Sequence, residues 1–206
     1  MSRRNPYVGD HRTQQAKAQG FPARSVFKLE EIDRRLNLFH GVKRVVDLGA
    51  APGSWSLYAS TRVGPSGRVL AIDLKAIDQA FPPNVQVVQG DALSVDSSVL
   101  TAFAPYDLVL SDMAPNTSGN KSSDQLKSAE LFLRAVEVAK AFGRQGSGFV
   151  GKLFMSGEFE GARRALTEAF SQVRVIRPEG TRKQSTELFL VGLGLRVGGV
   201  GNPSSL

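Results

Sequence analysis

Four aspartates stand at the ends of short apolar runs: Asp47 after Val45 and Val46, Asp73 after Ala71 and Ile72, Asp91 after Val87 and Val88, and Asp112 after Val109 and Leu110. Apolar, β-branched runs of that length predict strands, so each carboxylate falls at a strand end. Asp47 leads into Leu48 Gly49 Ala50 Ala51 Pro52 Gly53 Ser54 Trp55, a loop whose glycines let the backbone approach a ligand and whose far end can open a helix. The spacing is not the G-x-G-x-x-G of dinucleotide binders, and an acid beside the loop suits a cationic ligand. Asp73 lies 20 residues beyond Gly53, where an acid can accept hydrogen bonds from ribose hydroxyls. Asp91 could accept from an adenine amino group. Any one of them reads equally well as a solvated acid, but together they describe a nucleoside carrying a positive centre. S-adenosylmethionine, with ribose, adenine and a sulfonium, meets that description better than a dinucleotide.

A second set of residues could move a proton. Lys152 lies in Phe149 Val150 Gly151 Lys152 Leu153 Phe154, apolar on both sides. A central parallel strand is covered on both faces, so this lysine either reaches the carboxyl edge or is partly desolvated. Desolvation disfavours the ammonium and moves it toward use as a general base, unless carboxylates compensate. Lys28, in the first turn of a predicted helix, reads on its own as a surface charge. Glu187 opens the last predicted strand.

The elements that must position these groups follow from the apolar periodicity. Strands are predicted over 44–48, 68–73, 85–88, 106–112, 149–154, 173–177 and from 187 to 191 or beyond, with helices over 25–36, 54–61, 95–103, 125–142 and 158–170. The 125–142 helix is predicted to bury Leu126, Ala129, Leu133, Val136 and Ala139 or near neighbours. No helix separates the last two strands, so they are expected to be antiparallel neighbours. The expectation is an α/β fold with a seven-stranded, mostly parallel sheet, one reversed strand and helices on both faces. Residues 1–24 are expected to form a basic N-terminal arm, 25–197 a single domain and 198–206 a flexible tail.

Composition narrows the function classes. The 206 residues are 41% apolar, enough for one sizeable core. No run reaches the roughly 18–20 apolar residues of a membrane span, and 1–10 lacks the apolar segment of a signal peptide, so a cytoplasmic protein without a membrane partner is expected. The chain has no cysteine and two histidines, which excludes thiolate chemistry and leaves no expected metal site. Of a net charge of +7, most lies in the first 28 residues, where Arg3, Arg4, Arg12, Lys17, Arg24 and Lys28 face only Asp10. A basic arm ahead of a domain is the footprint of a polyanion such as nucleic acid.

With these residues set out, the chain resembles the FtsJ family of RNA ribose 2′-O-methyltransferases from about residue 15 to residue 194. The likeness is carried by Lys28 in Arg24 Ser25 Val26 Phe27 Lys28 Leu29, by the Asp47 to Trp55 loop, by Asp112 in Ser111 Asp112 Met113 Ala114 Pro115 Asn116, by Lys152 and by Glu187. It implies a Rossmann-like methyltransferase fold, S-adenosylmethionine as cofactor, and contacts to it from Asp47, Gly49, Gly53, Trp55, Asp73, Asp91 and Asp112. It also implies a catalytic group of Lys28, Asp112, Lys152 and Glu187, with Lys152 as base. Asp112 to Asn116, with Ser118 Gly119 Asn120, resembles bacterial members that modify a uridine in the A-loop of 23S ribosomal RNA. The implied partner is thus ribosomal RNA within the large subunit, met by a monomer. Two other readings stay open: a tRNA ribose methyltransferase, and a noncatalytic ribosome-assembly factor. Ser54, where many members have glycine, and Gly151, where a larger apolar residue is usual, depart from the family pattern.

Overall fold

A computed structural model describes residues 11–115, 119–179 and 186–196. Along the chain run α1 (His11–Ala18), α2 (Val26–Leu36), β1 (Arg44–Leu48), α3 (Ser54–Val63), β2 (Arg68–Asp73), β3 (Val85–Gln89), α4 (Ser97–Thr101) and β4 (Tyr106–Ser111). α5 (Lys121–Phe142), β5 (Gly143–Phe154), α6 (Phe159–Ala169), β6 (Phe170–Ile176) and β7 (Glu187–Leu195) complete it. The aliphatic alternation of the strands builds one seven-stranded sheet in the order β3-β2-β1-β4-β5-β7-β6. β3, β2, β1, β4 and β5 pair in parallel, and β7 runs antiparallel between β5 and β6. Because the chain moves outward through β2 and β3 and then returns to the far side of β1, the order reverses between β1 and β4. Ligands of open α/β sheets bind at the carboxyl edge of such a switch point.

Each face of the sheet carries its own core. On one side Val45, Val69, Leu110, Val150 and Phe189 pack with Leu29 and Ile32 of α2 and Trp55 and Ala59 of α3. On the other, Val46, Leu70, Val109, Leu153 and Leu190 meet Phe132 and Ala135 of α5 and Leu166 of α6. Val26, Leu29 and Ile32 recur at helical spacing to give α2 its buried stripe, and Asn37 ends it in the left-handed region with φ 52°, donating its N–H to the Asp33 carbonyl.

Several expected boundaries shift for local reasons. α5 begins at Lys121 rather than 125, because the Asn120 side chain accepts from the Ser123 N–H and caps an otherwise polar first turn. Leu126 and Leu133 are exposed, contrary to expectation, while Ser128, Ala129, Phe132 and Ala135 face the sheet. The strand carrying Lys152 starts at Gly143, directly after α5, since Gly143 pairs with Tyr106 across a register irregularity. β4 stops at Ser111, which leaves Asp112 as the first residue of the loop beyond it. Among the described residues no helix is long and apolar enough to cross a membrane.

Gly151 is explained by its neighbours. A Cβ there would meet Phe149 Cζ at 2.6 Å and the Phe132 ring at 2.8 Å. Those two rings stand edge to face, 5.5 Å apart, and fill the volume that a larger side chain at 151 would need. Gly151→Ala is therefore expected to lower the stability to urea by about 1–3 kcal/mol, and Phe132→Leu in the same chain to return part of the loss. A Gly151→Ala protein as stable as the parent would remove this packing account.

Candidate active site

The strands deliver their carboxyl ends to a cavity of about 1000 Å³. Its wall is built from Gly49, Ala51 and Pro52 after β1, from 73–79 after β2, from Asp91 after β3, from Asp112 and Met113 after β4, and from Lys152 of β5. Gly49 holds φ +77°, and a Cβ on it would lie 2.5 Å from Met113 Cγ and 2.9 Å from Met113 Cα. The position thus needs glycine both for its backbone and for the approach of the β4 loop. Asp73 organises the opposite wall: its Oδ2 accepts from the Ala51 N–H at 2.9 Å and its Oδ1 from the Lys75 N–H at 2.8 Å. Each of those oxygens keeps a further acceptor direction for a ligand hydroxyl. Asp91 Oδ1 accepts from the Leu93 N–H at 2.9 Å and is anchored in the same way.

Three residues expected on the cavity wall stand behind it. Asp47 is fully buried and accepts from Ser56 Oγ at 2.6 Å, while its Oδ1 has no partner among the described residues. Burial pushes its pKa up to about 7; the Ser56 hydrogen bond opposes that shift, and the nearby charges of Asp112 and Asp73 add to it. Gly53 begins α3 with φ +107°, and a Cβ there would meet Phe81 Cζ at 2.8 Å, beneath the 73–79 wall. Trp55 turns into the core, its ring 5.6 Å from that of Phe189 and its Nε1 donating to the Ser25 carbonyl at 2.9 Å. An α3 residue two places beyond the cap points at the sheet, which the loop motif alone does not reveal.

The four residues expected to do the chemistry form two ion pairs. Lys152 Nζ donates to Asp112 Oδ1 at 2.9 Å and to the Asp112 carbonyl at 2.5 Å, and its side chain is only 7% exposed. Lys28 Nζ lies 2.5 Å from Glu187 Oε1, half-hidden beside the sheet rather than solvated. Lys152 is directly opposite Phe189, and Phe154 opposite Glu187, so Lys152, Phe189 and Glu187 share one face. Lys28 Nζ stands 5.8 Å above the Phe189 ring, which places that ring between the pairs. Phe189 was not singled out from the sequence, although its place two residues after Glu187 puts it on the same side of the strand. Pro22, on the cavity wall ahead of α2, carried no sequence signal. Among the described residues no three His, Cys, Asp or Glu side chains gather as metal ligands.

The family model of the FtsJ-like methyltransferases matches residues 21–195. The chain belongs to this family. Among proteins similar to it is a ribosomal RNA large subunit methyltransferase E of Sorangium cellulosum, 59% identical, with 95% of this chain and 93% of that protein covered. Another of that description, from Desulfatibacillum aliphaticivorans, is 46% identical over 89% of each chain. A crystal structure described as a ribosomal RNA methyltransferase of Plasmodium falciparum matches 84% of this chain and 97% of its own, with a TM-score of 0.72 and 26% identity. Fibrillarin of Aeropyrum pernix, solved with natively bound S-adenosylmethionine, shares the fold over 73% of this chain and 66% of its own, with a TM-score of 0.53 and 16% identity. The chain is thus an S-adenosylmethionine-dependent methyltransferase, and its donor set suits that cofactor: anchored acids for hydroxyl and amino groups, and a negative wall for a sulfonium.

The raised pKa of Asp47 has a pH signature. Folding favours its protonated form, so its contribution is fullest below the ordinary value of 3.8 and is lost as pH rises toward about 7. Without cofactor, wild type is expected to lose stability relative to Asp47→Asn between about pH 4 and about pH 7 in urea unfolding. Equal pH slopes for the two proteins would show that Asp47 does not titrate in this window.

Proposed function

We propose that the chain transfers a methyl group from S-adenosylmethionine to the 2′-hydroxyl of a ribose in ribosomal RNA, at a uridine in the A-loop of the 23S molecule. The observation that carries the reaction class is a pair of lysine–carboxylate contacts, Lys152 with Asp112 on the cavity wall and Lys28 with Glu187 over the Phe189 ring. The relatives described as large-subunit ribosomal RNA methyltransferases support the substrate.

Asp73 and Asp91 would hold the ribose and adenine of the cofactor, and Asp112, with Asp47 behind it, the cationic end. When bound, the cofactor supplies an electrophilic methyl on a sulfonium. A ribose hydroxyl is a weak nucleophile until its proton is taken, and a positioned base contributes on the order of 10²–10⁴-fold. Lys152 is that base. To accept the hydroxyl proton it first releases one of its own to solvent, after which it keeps an N–H on Asp112 and turns its lone pair to the hydroxyl. Lys28, held by Glu187 and by the Phe189 face, orients the same hydroxyl, and Asp112 balances the charge that Lys152 gains. Placement of hydroxyl against methyl supplies much of the remaining acceleration.

RNA phosphates would lie along Arg12, Lys17 and Arg24 and across to Arg177. The further basic residues Arg3, Arg4, Arg182 and Lys183 fall outside the described part of the chain.

Lys152→Ala is expected to lower labelled methyl transfer to large ribosomal subunits by at least about 10²-fold while binding cofactor as wild type does. Near-normal turnover would overturn the assignment of the base. Running naked ribosomal RNA and tRNA in parallel identifies the substrate, and preferential labelling of tRNA would replace the ribosomal reading. The double substitution Arg12→Glu with Lys17→Glu is expected to weaken RNA binding and flatten its salt dependence without changing cofactor affinity, as measured by filter binding across a salt series.

A further inference from the structure

Ser54 and Trp55, at the first turn of α3, both reach back about thirty residues to the segment that launches α2. Ser54 Oγ accepts from the Ala23 N–H at 2.8 Å and donates to the Ala23 carbonyl at 3.0 Å, and Ser54 itself is 1% exposed. Trp55 Nε1 donates to the Ser25 carbonyl at 2.9 Å. Those carbonyls are also the acceptors of the first turn of α2: Val26 N–H reaches Ala23 O at 3.5 Å and Lys28 N–H reaches Ser25 O at 3.1 Å. Ser25 makes no side-chain cap, so the start of α2 is not held by a cap of its own.

We infer that Ser54 is a positioning residue for Lys28. Its hydroxyl, with the Trp55 indole, brackets residues 23–25 onto α3 and so fixes the lysine to the loop that carries the methyl donor. The inference rests on the proposed role of Lys28 and extends it to a side chain that touches neither cofactor nor substrate. Gly49 to Gly53 run without interruption into Ser54, and Pro22, the residue just before the bracketed segment, lines the cavity. Methyl donor and orienting lysine therefore share one frame, although Lys28 precedes the loop by about twenty residues. Without the hydroxyl, the partly buried Ala23 N–H loses its acceptor, and the first turn of α2 is left with its local bonds alone.

The test is Ser54→Ala, which removes both hydrogen bonds at almost constant volume, with Trp55→Phe as an independent cut of the same bracket. Full-length proteins are treated with an amine-acylating reagent, and labelling of Lys28 and Lys152 is followed by peptide mass spectrometry. In each variant Lys28 labelling is expected to rise by about tenfold, with Lys152 labelling and the cofactor dissociation constant within about twofold of wild type. The turnover number on ribosomal RNA is expected to fall by about tenfold or more with the KM for cofactor unchanged. Trp55 is the only tryptophan, so its emission shifting to longer wavelength in Ser54→Ala reports the lifted segment directly. Unchanged Lys28 labelling in both variants would overturn the inference. So would a parallel rise at Lys28 and Lys152 with loss of cofactor binding, since that signals general loosening. The labelling needs no turnover: a wild type inactive on every RNA, yet with Lys28 exposed selectively in the variants, would retire the ribose reading and uphold the bracket.

Discussion

A charged amine on a strand that is covered on both faces must find a compensating group or leave the core, and the contact between Lys152 and Asp112 meets that requirement. It works only because β5 ends beside β4 at the carboxyl edge, so that a residue just past β4 can turn both its carboxylate and its carbonyl to the same Nζ. Breaking a buried pair of this kind leaves an uncompensated charge, which costs far more than a surface pair returns. The parallel order of the first five strands, the reversal between β1 and β4, and the loop from Gly49 to Gly53 all converge on the edge where that pair sits. The Lys152–Asp112 pair thereby lines the same cavity as the ends of β1, β2 and β3.

The negative groups around the cavity divide into two kinds. Asp73 and Asp91 take backbone N–H groups and remain on the wall, able to receive a ligand. Asp47 lies a layer deeper, fully buried, with one oxygen accepting from Ser56 Oγ. Its burial disfavours the charged form and raises its pKa to about 7, with Asp112 and Asp73 adding to the shift.

How much of this could be read from residue order depended on the kind of signal. Strands announced themselves through β-branched runs, and the acids after β2, β3 and β4 line the cavity as their placement suggested. Lys28 looked like a surface charge because nothing local records that Glu187, far away in the chain, lies 2.5 Å from it. Trp55 and Asp47 belong to a motif that binds a ligand as a whole, but the twist of α3 and the pleat of β1 decide which member faces the cavity and which faces the core. Gly151 looked like an omission until Phe132, from a different element, was found in the missing volume. Pairings distant in the chain are what a pattern of neighbours cannot carry. The start of α5 and the long lead-in of β5 were hidden for the opposite reason: polar caps and glycines resemble loops until a cap contact or a ladder partner is known.

Among the described residues β7 is the last strand of the sheet along the chain and the only one that runs against the others, and it lies inside the sheet rather than at its rim. A reversed strand starts where its neighbours finish, which is how Glu187, the first residue of β7, arrives beside Lys28 of α2 and Phe154 of β5. During synthesis, then, every element that lines the cofactor cavity leaves the ribosome before the acid that steadies Lys28. Insertion of β7 between β5 and β6 closes the sheet and brings Glu187 to Lys28 in one event.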